Sequence, residues 1–218
     1  LFFIFFVLDI FTLSTKILPV GNTFDPNRKA FLELSFKTLL AGFGGILSVY
    51  GILNGISSPK IITQKIKYEH LPEKLIDLKI AHISDLHLGS QIKSDMVKDI
   101  VNKINEIKPD IVVFTGDAAD GSVESYGKEM NPLKNIISKY GNYFVTGNHE
   151  YYSDLKGWLK KIENVGFIIL TNESRIINIE GSKLQITGIP DRSAGYFLKS
   201  HQTDMEKAIN GFENSDFK

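Results

Sequence analysis

The sequence predicts an α/β domain that follows a membrane region. From Leu78 onward, short apolar runs alternate with segments whose apolar residues recur at helical spacing, which is typical of a layered α/β fold. Before Lys60 the chain is rich in Phe and poor in charge, and nine of its 15 Phe precede residue 44. We therefore expect a membrane region over residues 1–59, a linker or first strand over 60–77 and an α/β domain over 78–218.

The membrane prediction depends on the run from Thr38 to Pro59, which holds 22 residues without a charge. A spanning helix needs about 20 apolar residues, so the length fits. Its glycines would destabilise an exposed soluble helix, whereas small residues let helices pack closely in lipid, and Gly51 and Gly55 have the GxxxG spacing. The alternative is a glycine-rich helix buried in a soluble core.

Residues 1–20 are predicted to form a second spanning helix, so the membrane protein would be multi-pass. Asp9 interrupts the apolar run, and a carboxylic acid within lipid normally faces a partner or a cavity. A signal peptide is the alternative, but the segment has no positive n-region and no small-residue cleavage site. Basic residues flank both sides of the pair of predicted helices almost equally, so the sequence assigns neither their orientation nor the face of the membrane on which the α/β domain lies.

The charge balance argues against a nucleic-acid partner, and the cysteine content excludes disulfides and thiolate metal sites. The 25 basic and 25 acidic residues balance, so no long-range field attracts nucleic acid and we expect no such partner. Cysteine is absent from the sequence, which excludes disulfides and thiolate metal sites.

The α/β domain is predicted element by element. "LKIAHIS", "DIVVFTG", "NYFVTG" and "GFIIL" are apolar enough for strands of a buried sheet. Helices are predicted over "SDMVKDIVNKINEIK", around Pro132 to Tyr140, over "YSDLKGWLKKIEN" and over "TDMEKAING". Apolar residues recur at alternate positions in "SRIINIEG" and "SKLQITGI". These segments lie on either side of the turn at Glu180 and Gly181, which favours a hairpin.

Three of the predicted strands end in polar side chains. The first is followed by Asp85 and His87, the second by Asp117, and the third by Asn148 and His149. Asp85 and Asp117 are 32 residues apart, and Asp117 and Asn148 are 31 apart, one strand–helix–strand step each. Because parallel strands share one carboxyl edge, these groups are expected to converge on a single crevice.

The chemistry of these side chains predicts a metal site. Carboxylate, imidazole and amide oxygen suit Mn, Fe, Zn or Mg, and a carboxylate can bridge two ions. Two such ions can activate water and clamp an in-line displacement. Each of these three polar groups alone could be a surface turn or a helix cap. The three together, in order and each after an apolar strand, favour the metal site.

Several other polar or aromatic residues are predicted to be structural. Asp120 is expected to order the loop after Asp117 rather than bind metal, and His82 to be a core histidine. Trp158 is expected in the core, and His201 lies in a polar stretch without a motif.

"SDLHLGS", "FTGDAAD" and "VTGNHEY" resemble the calcineurin-like metallophosphoesterases, in particular the membrane-associated bacterial branch. The resemblance covers roughly residues 79–189. It implies a four-layer sandwich of mixed β-sheets flanked by helices and hydrolysis of a phosphoester at a dinuclear metal centre. It also implies that Asp85 and His87 bind the first ion, that Asp117 bridges both and that Asn148 binds the second. His149 would act beside the scissile bond, stabilising charge or protonating the leaving oxygen.

The sequence departs from that family at its C-terminal side. The family pattern continues with a lone His after a strand and then a Gly-His-x-His turn, and no Gly-His-x-His occurs here. We therefore expect a C-terminally truncated copy, whose second ion would be held by too few ligands and whose own activity would be low.

Together these features predict a membrane-anchored, metal-dependent phosphatase or phosphodiesterase with two divalent ions. Its substrate would be a phosphoester, and membrane attachment favours a lipid-linked one. Two alternatives remain open: a noncatalytic membrane-anchored binding domain with a degenerate or incomplete phosphoesterase fold, and a soluble phosphatase with an apolar propeptide.

Overall fold

The structure, a computed structural model, describes residues 26–55 and 59–209. The chain divides into two compact units, Leu1–Ser57 and Ser58–Lys218. The predicted helix over residues 1–20 lies outside the described residues and stays a prediction.

The described part of the first unit is one helix, α1 (Pro26–Gly55). Its stretch Ala30–Ile52 spans 23 residues and is long and apolar enough to cross a membrane. The candidate span thus begins before Thr38, because the apolar residues around Glu33 and Lys37 continue the helix. The hydroxyl groups of Thr38 and Ser48 donate back to carbonyl oxygens of the preceding turn, which satisfies them within the helix.

The second unit alternates strands and helices. Its strands are β1 (Ile80–Ile83), β2 (Ile111–Phe114), β3 (Asn142–Phe144), β4 (Ile168–Ile169), β5 (Glu173–Ile179) and β6 (Ser182–Gly188). Its α-helices are α2 (Ser94–Ile107), α3 (Val123–Tyr126), α4 (His149–Tyr152), α5 (Leu155–Asn164), α6 (Ala194–Phe197) and α7 (Met205–Ala208). Short 3-10 helices occupy Glu73–Leu75, Asn131–Asn135 and Lys199–His201.

Strands β1 to β4 form one sheet in sequence order, and each neighbouring pair is parallel. Strands β5 and β6 form a separate antiparallel hairpin in which Ile179 pairs with Ser182. The predicted α/β fold and hairpin are confirmed. Among the described residues the β-structure is one parallel and one antiparallel sheet, whereas the resemblance implies two mixed sheets.

The parallel sheet has one apolar cluster on each face, because successive strand residues point to opposite sides. Val112, Phe114 and Phe144 belong to the cluster that contains the buried residues of α2 and α5. Ile111 and Tyr143 belong to the cluster that contains the buried residues of the hairpin. The sheet is therefore the middle layer between helices and hairpin, and its carboxyl edge remains available for a site.

Individual elements differ from the predictions in length and burial. The helix expected around Pro132 to Tyr140 is only the 3-10 helix Asn131–Asn135, and the helix in "TDMEKAING" is described as the single turn α7. Trp158 is fully buried, as expected. His82 is exposed rather than in the core, and its Nε2 lies 2.8 Å from Thr115 Oγ1.

No strand is described over residues 59–77. The segment is exposed up to residue 70 and then turns through Glu73–Leu75, where Leu75 is buried against the hairpin-side cluster. The first strand that was the alternative for residues 60–77 is therefore not described there, and their assignment as a linker stays a prediction.

Candidate metal centre

The loops after β1 and β2 continue the pairing of their strands. The backbone N–H of Asp85 donates to Gly116 O at 3.2 Å, and that of His87 donates to Asp117 O at 3.0 Å. Leu88 and Ala119 then form a parallel bridge. Hydrogen bonds between backbones thus hold the two loops side by side beyond the regular sheet.

Three residues of these loops have left-handed backbone conformations. The φ angles are 54° at Asp85, 45° at His87 and 53° at Asp117. Such conformations are uncommon for residues other than glycine and cost on the order of 1–3 kcal/mol each. Asp77, Lys108, Asn172 and Glu180 have left-handed φ as well, but these three are positions that the sequence marks as metal ligands, and backbone strain is often found in functional sites.

Two glycines allow the second and third loops to touch backbone to backbone. A Cβ on Gly116 would overlap the backbone nitrogen of Gly147, and φ at Gly116 is +82°. A Cβ on Gly147 would overlap the carboxylate of Asp117. Glycine is therefore required at both positions for Asp117 to lie beside the loop that carries Asn148 and His149.

Glu150 is a fully buried carboxylate that links the second and third loops. It accepts hydrogen bonds from the backbone N–H groups of Ala118 at 2.7 Å, Gly147 at 2.7 Å and Asp117 at 3.2 Å. Burial raises the pKa of Glu150, and the three N–H donors oppose that change because they favour the ionised form. The sequence alone assigns no role to Glu150, and its position directly after His149 is the available signal.

Asp120 contacts both imidazoles of the site. Its Oδ1 lies 2.6 Å from His87 Nδ1 and 2.9 Å from His149 Nδ1. The two rings are edge to face, with centroids 4.5 Å apart. The hydrogen bond that His87 donates to Asp120 raises the pKa of His87; burial opposes this change, and the charges of Asp120, Asp117 and Asp85 add to it. Asp120 therefore does more than order its loop, because its hydrogen bond fixes which ring nitrogen of His87 carries a proton and it also lies beside His149.

The structure brings several of the predicted site residues together. Ligand atoms of His87, Asp117 and His149 all lie within 4.8 Å of one another. Asp85 Oδ1 is 3.7 Å from His87 Nε2. The backbone N–H of His149 donates to Asp117 Oδ1 at 2.9 Å.

Two predicted ligands have polar partners of their own. Ser84 Oγ donates to Asp85 Oδ2. The Asn148 amide nitrogen donates to the Tyr152 hydroxyl at 3.1 Å.

A cavity of about 650 Å³ opens beside the two histidines. It is lined by His87, Ala119, Asp120, Gly121, His149, Tyr152 and Ser153. The indole N–H of Trp158 donates to the backbone oxygen of Gly121 at 2.8 Å and so helps to fix this lining residue. The cavity is large enough for a phosphoryl group with an organic substituent.

His201, which has no sequence motif, contacts the helix that follows the third loop. Its Nδ1 lies 2.8 Å from the Tyr151 hydroxyl, which in turn lies 2.9 Å from Thr146 Oγ1. Burial lowers the pKa of His201. The residue therefore supports the third loop from outside the histidine pair.

The donor set suits a divalent cation. Carboxylate oxygens and imidazole nitrogens are the ligands that Mn, Fe, Zn and Mg accept, and Asp85, His87 and Asp117 come from two loops held together by hydrogen bonds. The arrangement could also orient a proton donor, because Asp120 holds His149 by Nδ1.

Comparison with known proteins agrees with this geometry. Residues 78–211, more than half of the chain, match the calcineurin-like phosphoesterase family. The chain is 35% identical to a transmembrane protein with metallophosphoesterase domain of Danio rerio over 76% of its length, and 31% identical to the protein of that name in Bos taurus over 87%. It is 30% identical over 95% of its length to an uncharacterized metallophosphoesterase of Helicobacter pylori.

The chain spans 39%, 44% and 54% of the lengths of these three relatives. The match of residues 78–211 includes every residue of the candidate site. This chain belongs to the calcineurin-like phosphoesterase family.

Proposed function

We propose that this chain is the membrane-anchored part of a metal-dependent phosphoester hydrolase with a dinuclear centre. The observation that carries the proposal is the grouping of His87, Asp117 and His149 within 4.8 Å, on loops that follow three neighbouring parallel strands. Membership of the phosphoesterase family supports the reaction class.

In this proposal Asp85 and His87 would hold one divalent ion, Asn148 would hold a second, and Asp117 would contribute to both. The ion would be Mn, Fe, Zn or Mg. The chemistry that such a pair supplies when bound is activation of a water molecule and neutralisation of phosphoryl charge. The short contact between Asp120 and His87 keeps the proton on Nδ1, which leaves Nε2 for the metal.

His149 is proposed as the catalytic residue that donates a proton to the leaving oxygen. Asp120 Oδ1 lies 2.9 Å from its Nδ1, which leaves Nε2 available to the substrate. His149 also belongs to the group with metal-ligand spacing, so its assignment as a non-ligand follows from the family resemblance.

The membrane part of the proposal concerns both location and substrate. Ala30–Ile52 is long and apolar enough to cross a membrane, and two relatives are named transmembrane proteins. A second span within residues 1–20 would make the protein multi-pass. A catalytic domain tethered at a bilayer favours phosphoesters whose organic group is a lipid.

The test uses the full-length product of the reading frame that contains this chain, purified in detergent. We expect it to hydrolyse bis-p-nitrophenyl phosphate with Mn²⁺ and to lose that activity with chelator. His149→Gln should reduce kcat by about 10²- to 10⁴-fold, the usual contribution of a general acid. His70→Gln, at an exposed position in the linker, is the matched control and should leave kcat unchanged.

Two outcomes would contradict the proposal. Binding of Mn²⁺ without hydrolysis of any phosphoester would favour the noncatalytic binding domain. Recovery of the protein in the soluble fraction after expression without detergent would contradict the membrane anchor.

A further inference from the structure

We propose that Tyr152 and Phe197 form an apolar contact surface for the leaving alcohol of the substrate, so that the protein selects phosphoesters of uncharged, apolar alcohols. This inference rests on the proposed function and names the class of its substrate. We call the two side chains the aromatic rim.

The aromatic rim begins inside the cavity beside the two histidines. Tyr152 lines this cavity together with His87 and His149. The centroid of its ring lies 5.7 Å from that of His149, the residue proposed to protonate the leaving oxygen. The alcohol bonded to that oxygen is therefore within reach of the Tyr152 ring.

The polar end of Tyr152 has a partner, whereas its ring is open to the cavity. The hydroxyl lies 3.1 Å from the amide nitrogen of Asn148, four residues earlier in the same turn. The residue as a whole is nevertheless 58% exposed. An aromatic ring in water is stabilised when an apolar group covers it, because apolar area is removed from solvent.

Phe197 extends the apolar surface beyond the cavity. The centroid of its ring lies 5.3 Å from that of Tyr152. It also stacks on Tyr151, which is buried, with the centroids 5.9 Å apart. Phe197 remains 50% exposed although it packs against both rings. Two adjacent aromatic rings thus offer a continuous apolar surface that starts at the cavity.

The charges around the cavity favour an uncharged alcohol. No Lys or Arg side chain lines it among the residues that the structure describes, and its one carboxylate is that of Asp120. Recognition of a second phosphate on the leaving alcohol normally uses Arg or Lys. Discrimination between alcohols on this side of the cavity therefore depends on apolar contact with the aromatic rim.

The test compares two methyl phosphodiesters that differ in the other alcohol, benzyl methyl phosphate and 2-methoxyethyl methyl phosphate. Release of benzyl alcohol and of 2-methoxyethanol by the full-length protein with Mn²⁺ gives kcat/KM for each ester. Tyr152→Ala should lower the ratio of kcat/KM, benzyl over 2-methoxyethyl, about 10-fold, since apolar contacts discriminate between substrates on this scale. A role limited to supporting His149 would lower both rates equally and leave the ratio unchanged.

Two further variants separate the ring from the hydroxyl and from His149. Tyr152→Phe keeps the ring and should keep the wild-type ratio. Phe197→Ala leaves Tyr152 and His149 in place and should lower the ratio about 3-fold, the scale of one aromatic contact. Tyr196→Ala is the matched control for the loss of a ring, because Tyr196 is 91% exposed and precedes Phe197 on α6. It should leave the ratio unchanged.

Several results would overturn the inference. These are an unchanged ratio in Tyr152→Ala, a wild-type preference for the 2-methoxyethyl ester, and hydrolysis of bis-p-nitrophenyl phosphate without hydrolysis of the benzyl ester. A wild-type protein that hydrolyses none of the three esters with Mn²⁺ would instead overturn the proposed function.

Discussion

Replacing Glu150 with glutamine tests whether this carboxylate holds the second and third loops together. Glutamine has nearly the same volume, so packing is conserved and the change concerns the acceptor atoms. In the wild type, Oε1 accepts from Ala118 N at 2.7 Å, and Oε2 accepts from Gly147 N at 2.7 Å and Asp117 N at 3.2 Å. Glutamine offers one oxygen, so at least one of these donors would face an NH₂ group.

The expected loss of stability follows from the number of backbone N–H donors that lose their acceptor oxygen. A buried N–H without an acceptor costs about 1–3 kcal/mol, and the remaining hydrogen bonds lose the strengthening that an ionised acceptor gives. Removing a buried charge offsets part of that loss. We expect Glu150→Gln to lower the free energy of unfolding by about 2 kcal/mol at a pH where the wild-type carboxyl is ionised.

The assay is urea unfolding followed by tryptophan fluorescence. Trp158 is the single tryptophan of the sequence and is fully buried, so its emission reports on the α/β domain. Glu163→Gln is the control, because Glu163 is exposed on α5 and its change should stay within about 0.5 kcal/mol. If Glu150→Gln matched the control, the inferred role of Glu150 in joining the loops would be refuted.

Two further changes probe the contact between the loops and the support from the C-terminal side. Gly147→Ala places a Cβ against the Asp117 carboxylate and should destabilise the domain by about 1–3 kcal/mol and weaken Mn²⁺ binding, as measured by urea unfolding and calorimetry. Unchanged metal binding in Gly147→Ala would contradict the need for close approach. Burial lowers the pKa of His201, so the unfolded chain takes up more protons between that lowered pKa and the usual value of 6.5. Wild-type stability should therefore fall as pH drops below about 6.5 and through this window, and His201→Gln should show a smaller fall in urea midpoint. An identical pH dependence would argue against a neutral, half-buried imidazole at His201.

Local patterns predicted the sheet and the position of the site. The apolar runs that became β1, β2 and β3 and the helical spacing of α2 and α5 are consequences of short-range geometry, which a sequence displays directly. The polar residues after those strands could be placed at one edge because a parallel sheet has only one carboxyl edge.

Element lengths were harder to predict, because they depend on neighbours. The segment around Pro132 was expected to form a longer helix and is a 3-10 helix of five residues. His82 was expected in the core, but its side of the edge strand β1 is exposed. Burial of a given strand position depends on what covers the sheet, and a single sequence does not display that information.

The sequence by itself determined the order of strands and helices along the chain. It also determined which types of ligand atom follow the strands, because both features depend on residues that are close together in the chain. Only the tertiary structure decided which atoms meet. Asp120 touches both His87 and His149, and Glu150 reaches the backbone of the neighbouring loop, across 29 to 33 residues of sequence. Such contacts depend on the left-handed turns at Asp85, His87 and Asp117 and on the close approach of two glycines, which arise when separate loops pack against each other.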